Sequence, residues 1–140
     1  MKINIKISGL KEYVSAFKQE PEISKKELEL ALKKSLFVIQ RNVRELTPVD
    51  TGRLRQSVGA PQDQGIFEVN MGEKSATIGT RVKYAYWVEV IDTNRHPTGQ
   101  SRYFETGVQK SIKDINKLFN NAMQVVLKKI ALKTYNGKNI

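Results

Sequence analysis

A chain of 140 residues with 39% hydrophobic and 27% charged side chains suits one folded domain, which excludes wholesale disorder and a second independent core. Zero cysteines exclude disulfides and thiolate metal sites, and no apolar run reaches the roughly 20 residues of a membrane span. The 24 Lys+Arg against 14 Asp+Glu leave a net charge of +10, which favours an anionic partner, whether nucleic acid, a membrane surface or an acidic protein face. Residues 1–70 hold 12 basic and 9 acidic side chains and residues 71–140 hold 12 and 5, so the excess leans toward the second half.

Ile3, Ile5 and Ile7 alternate with Lys2, Asn4 and Lys6, the period of a strand with one buried face, and unlike the solid apolar block of a signal peptide. After Ser8-Gly9, the residues Leu10, Tyr13, Val14 and Phe17 recur at helical spacing, and Pro21 is expected to end that short helix. Ser24 with Glu27 three residues on has the pattern of a capping box, opening a helix that should run to about Leu46. At 100° per residue, Leu28, Leu32, Ser35, Leu36, Ile39, Val43 and Leu46 share one face, while Lys26, Lys33, Arg41 and Arg44 share the opposite one. Lys33, Arg41 and Arg44 are therefore the candidates for facing nucleic acid. Leu30 and Phe37 fall among these cations, where lysine stems or a groove could cover them. The alternative is that they form part of a subunit interface ringed by charge.

The stretch Thr47-Pro48-Val49-Asp50-Thr51-Gly52 breaks the helix, because a proline disfavours helical geometry at the residue before it and Asp-Thr-Gly offers turn chemistry. Arg53 to Val58 then alternates as a half-solvated strand would, with Leu54 and Val58 apolar. Ile66 to Met71 and Ala76 to Val82 read as two further strands joined by a Gly72-Glu73-Lys74 turn. Residues 84–90, with Tyr84, Tyr86 and Trp87, form an aromatic centre, part of which is expected to pack where the long helix meets the sheet, the alternative being a stacking platform for single-stranded nucleic acid. Residues 91–102 form a long polar loop. From Phe104 a second long helix should run to about Leu132, with Val108, Ile112, Ile115, Phe119, Ala122, Val126 and Ile130 on one stripe and Lys110, Lys113, Lys117 and Lys128 on another. Gly107 blurs the start of that helix.

The expected fold is α+β: an antiparallel sheet of about four strands against two long helices, one near the N-terminus and one at the C-terminus. Residues 1–133 make the single domain, and 134–140 fray. No catalytic, cofactor-binding or metal site emerges. His96 and Asp92 alone make a poor zinc site, Ser57 and Ser101 lack triad partners, and helix-end or surface roles account for Glu89, Asp92 and Glu105 better than a magnesium site does.

One resemblance spans about Ile3 to Leu132. The run Thr47-Pro48-Val49-Asp50-Thr51-Gly52-Arg53-Leu54-Arg55-Gln56-Ser57, followed by Tyr84-Ala85, Val88-Glu89 and Arg102-Tyr103-Phe104, resembles the tailed-bacteriophage neck and minor tail components, the head–tail joining or tail-completion proteins. The resemblance implies a non-enzymatic virion protein of the head–tail junction or tail, present in the host cytoplasm during assembly and needing no cofactor. Its implied partners are copies of itself in a ring and other neck, portal-side or tail proteins; the positive charge suits non-specific proximity to DNA, and no membrane partner is expected. On the same resemblance, Asp50, Thr51, Gly52, Arg53 and Arg55 are structural or docking residues. The competing reading is a basic nucleic-acid-binding module, and an enzyme, a nuclease using Glu89 or Asp92 with a metal, stands third.

Overall fold

The computed structural model describes residues 1–6, 18–49, 52–90 and 99–138, the side chains of 134–138 excepted. In chain order the elements are β1 (Lys2–Lys6), α1 (Pro21–Leu46), α2 (Arg53–Ser57), a 3₁₀ turn (Pro61–Asp63), β2 (Gly65–Asn70), β3 (Ser75–Thr80), α3 (Ala85–Val90) and α4 (Tyr103–Lys138). The short helix expected within residues 10–17 lies outside the described residues.

The sheet has three strands in the order β1-β3-β2, both pairs antiparallel, where about four were expected. Ile3 and Phe67 flank Ile78, and Ile5 and Val69 flank Ala76, so alternate residues of all three strands share one face. That face packs on α1, whose Leu28, Leu32, Leu36, Ile39 and Val43 are fully buried. The α4 residues Tyr103, Phe104 and Ile115 join the same core.

The missing strand is the segment after the turn. Arg53–Ser57 is helical, and Leu54, Ser57 and Val58 are buried. A separation of four residues fits both a strand face and a helix face, so Leu54 and Val58 could not distinguish the two; Ser57, three residues after Leu54, belongs to the helical set.

Lys18 and Gln19 are helical and Glu20 is not, so a helix does end just before Pro21; Pro21 also begins α1, because a proline lacks the N–H that the first turn leaves unpaired anyway. The N-cap is Glu20, with no side-chain cap, and the Ser24–Glu27 box is absent. Ser24 is buried instead, and Glu27 pairs with Lys129 of α4. The helix ends where expected, at Leu46: Thr47 turns extended (ψ 126°) ahead of Pro48, and its hydroxyl donates to Val43 O at 2.7 Å.

α4 runs straight through Gly107 and on to Lys138, beyond the expected Leu132. Gly107 marks a helix crossing and no break: a Cβ there would lie 2.6 Å from Val43 Cγ2 and 2.7 Å from Val43 Cα. Beside the crossing, Asn42 Nδ2 donates to Ser111 Oγ at 2.9 Å, and Ser111 Oγ donates to Gly107 O at 2.7 Å. At the far end Lys129 meets Glu27 and Lys133 meets Glu20, which sets α1 and α4 antiparallel along their length.

Candidate functional site

The corner between α1 and the sheet is tied from three directions. Arg44 on α1 donates from Nε and Nη2 to Val58 O at 3.1 and 2.9 Å, and from Nη2 to Gln56 O at 3.0 Å. These carbonyls end α2, where a cation also complements the helix dipole. Gln40, one turn earlier on α1, donates to Val58 O and Gly59 O at 3.1 and 3.2 Å. Burial lowers the Arg44 pKa from its ordinary value, and Asp63 offsets part of that. Arg55 Nη2 donates to Thr47 O at 3.2 Å, and the Ser57 and Thr80 hydroxyls lie 2.6 Å apart, joining α2 to β3.

Gly52, with φ +82°, is the residue before α2, and Arg53 is exposed beside a shallow polar cleft with Gln56, Gln62, Asp63 and Gln64. Asp50 and Thr51 lie outside the described residues. The chain returns to this corner just before α4: Gln100 N–H donates to Leu46 O at 2.9 Å. Gly99 (φ +79°) sits so close that a Cβ would fall 2.5 Å from Pro48 N. Only glycine fits that approach.

A second lock joins α3 to α4. Glu89, buried, accepts the Phe104 N–H on Oε2 at 2.8 Å and the Glu105 N–H on Oε1 at 3.0 Å, while its own carbonyl accepts the Arg102 N–H at 2.8 Å. A carboxylate on the first-turn N–H groups of a 36-residue helix satisfies donors the helix cannot pair itself and lies at the positive end of its dipole. Tyr103, fully buried, donates its hydroxyl to Ala85 O at 3.1 Å. Burial, then the charge of Glu89, then Tyr84 push the Tyr103 pKa well above the usual phenol value, so the hydroxyl keeps its proton. The helix-end role for Glu89 is therefore observed, with both oxygens occupied by backbone donors.

That lock turns the aromatic centre outward. Ala85 and Glu89, four residues apart, are the buried side of α3, which leaves Tyr84, Tyr86 and Trp87 projecting elsewhere. Tyr86 is 58% and Trp87 59% exposed, their rings edge to face at 5.6 Å. Ala85 and Val88 of this segment join the core while all three rings stay exposed, so the expectation that part of the aromatic cluster packs between the long helix and the sheet is corrected for the rings: α3 is amphipathic with its aromatics on the solvent side.

On α1, Leu30 is 47% and Phe37 57% exposed, and Phe37 leans on Phe67 of β2 with ring centroids 5.0 Å apart. The sheet edge thus covers part of Phe37, and the rest faces solvent. Of the three cations proposed to face nucleic acid, Lys33 pairs with Glu29 at 3.4 Å, Arg44 is committed to the corner, and Arg41 is exposed. The structure does not gather them into one site.

Sequence reasoning missed Gln40 and Gly99. Gln40 sits at the boundary of the apolar stripe, where a polar residue facing a chain turn is the available signal. Gly99 lies in a polar loop whose return to residues 46–48 no local pattern encodes. Among the described residues no group of three or more His, Asp or Glu could hold a metal, and no helix is long and apolar enough to cross a membrane.

No curated protein and no solved structure matches the chain. Residues 8–90, more than half of it, match the family described as "Bacteriophage HK97-gp10, putative tail-component". The matched segment contains the corner at residues 47–60 and ends on α3; it holds the ties from Gln40, Arg44, Arg55 and Ser57, while those made by residues 99–105 lie beyond it. On that match, the chain belongs to the bacteriophage HK97-gp10-like family.

Proposed function

We propose that this chain is a structural component of a phage particle, stationed in the neck or at the tail's junction with the head, and that it acts by assembling with copies of itself and with neighbouring virion proteins. It performs no chemistry in this reading. The family description supplies the tail-component role and, with it, a place in the virion. The observation that supports assembly is the exposure of Tyr86 and Trp87 on a helix that the Glu89 lock holds in place. Large aromatics on an ordered surface are costly to leave in water and are enriched where proteins meet. Leu30 and Phe37 offer a second apolar surface on α1, as a ring requires: a heterologous contact uses two different faces of each subunit.

Negative-stain imaging of the concentrated protein, with its mass from light scattering, tests this reading. A closed ring whose mass is a multiple of the 15.9 kDa chain is expected. A monomer that also fails to join purified tails or filled heads overturns assembly, and purified virions without the polypeptide overturn the location.

A further inference from the structure

We infer that one face of α4 is a contact surface for the phosphate backbone of double-stranded DNA, a reading that deepens the proposed station near the head–tail junction and places its DNA contact away from α1. Lys110, Lys113, Lys117 and Lys128 lie within an arc of about 60° on the helix, on the side away from Phe104, Ser111, Ile115, Ala122 and Val126. All four are exposed, and none makes an ion pair among the described residues, whereas Lys129 and Lys133 of the same helix are matched to Glu27 and Glu20. The helix thus divides its lysines into a set neutralised by α1 and a set left facing outward.

The surroundings sharpen the charge. No acidic residue follows Asp114 in the sequence, and Asn120, Asn121 and Gln124 fill the same side between Lys117 and Lys128. Amides donate to phosphate oxygens without adding repulsion among the lysines. Among the described residues of α4, Asp114 is the one carboxylate beside the ridge. It stands one turn from Lys110 and Lys117 yet pairs with neither.

Helix electrostatics do not explain the placement, because Lys110 and Lys113 are in the N-terminal third of α4, where the dipole gives cations no advantage. From Lys110 to Lys128 the ridge is about 27 Å long at 1.5 Å per residue, close to one turn of duplex DNA at about 34 Å. Lysines on one straight helix follow a backbone without reading bases.

The test is a salt titration of full-length protein binding to a random-sequence duplex, with light scattering run in parallel. Replacing Lys110, Lys113, Lys117 and Lys128 by Gln should reduce the slope of log affinity against log salt by about 0.9 per lysine, about 3 to 4 in all. Assembly state and helical content should be unchanged. The matched control replaces Lys18, Lys25, Lys26 and Lys34, all exposed, by Gln and should leave the slope within about one unit of wild type. An equal loss in both variants shows that net charge and not the ridge is responsible, and overturns the proposal. So does a wild-type chain that binds no duplex at low salt, free or assembled. If the ridge variant loses binding to poly-glutamate but keeps binding to DNA, the ridge belongs to an acidic protein and the DNA reading fails. Ring formation in light scattering stands or falls separately from every one of these outcomes.

Discussion

Glu89 accepts the backbone N–H of Phe104 at 2.8 Å across fifteen residues of chain, and this contact makes α3 and the start of α4 one unit. The same carboxylate accepts the next N–H, so a single side chain closes the helix that supplies half of the interhelical core. Losing it should loosen α4 from its first turn. Glu89→Gln keeps one acceptor oxygen and removes the charge, which should cost about 1–2 kcal/mol; Glu89→Ala should cost about 2–3. Thermal unfolding reads the loss at roughly 3 °C per kcal/mol for a chain of this size. Hydrogen exchange at Phe104 and Glu105 should accelerate, and unchanged protection there would refute the capping role.

Tyr103 makes the companion contact. Its hydroxyl is the donor to Ala85 O, and both are buried, so Tyr103→Phe removes this hydrogen bond between α4 and α3 at almost constant volume. A destabilisation of about 1–2 kcal/mol is expected, measured by denaturant midpoint at unchanged m-value. Because Glu89 and Tyr103 serve one joint, the Glu89→Gln, Tyr103→Phe double variant should fall short of additivity.

The crossing of α1 and α4 predicts a change of sign. On helix propensity alone Gly107→Ala would stabilise by about 1 kcal/mol. A Cβ 2.6 Å from Val43 Cγ2 reverses that, since opening the crossing costs about 1–3 kcal/mol. The single variant should therefore lower the melting temperature. A Val43→Ala background relieves only the Cγ2 part of the clash, because Val43 Cα at 2.7 Å and Val43 N at 2.9 Å remain, and a Gly107→Ala that stabilises the wild-type background would show that the contact is not the cause.

The helices and strands with long, unambiguous periodicity were legible in the sequence: the buried stripe of α1, the strand pair around Gly72-Glu73-Lys74, and the apolar face of α4 recur, except that Ile112 of that face is exposed. What failed was short or depended on distant residues. Leu54 and Val58 sit four apart, a spacing shared by strand and helix, and the deciding tie is a hydroxyl on β3. Glycine at 107 reads locally as a weak start, while its reason is Val43 on another helix. Of the proposed site, the corner motif was visible as punctuation. Its ties from Gln40, Arg44 and residues 99–100 were not, because each joins segments far apart in sequence.

Val58 O receives donors from both Arg44 and Gln40, and that redundancy is measurable. Arg44→Met keeps most of the stem and removes the cation, yet Gln40 still satisfies the carbonyl, so a loss of about 1 kcal/mol is expected; Gln40→Met should cost about the same. Together they leave the carbonyl without its side-chain donors, and the double variant should exceed the sum of the singles by about 1 kcal/mol. A strictly additive cycle would mean the two donors act on separate features of the corner.

Trp87 is the only tryptophan in the chain, so its fluorescence reports on α3 alone. At 59% exposure in the single chain, its emission should resemble that of a water-exposed indole and be quenched readily by acrylamide. If Tyr86 and Trp87 form the seam between copies, concentration into the assembled state should shift the emission to shorter wavelength and protect it from the quencher. Trp87→Ser and Tyr86→Ser remove side chains more than half exposed in the monomer, together with the ring contact between them. Each should cost only about 1 kcal/mol of stability while weakening assembly. The same substitution at Phe37 separates the two apolar surfaces: it gives up the ring contact with Phe67, so it should cost about 1 kcal/mol of stability whether or not assembly is affected. Assembly that survives both Trp87→Ser and Tyr86→Ser but is lost in Phe37→Ser places the seam on Leu30 and Phe37, away from α3.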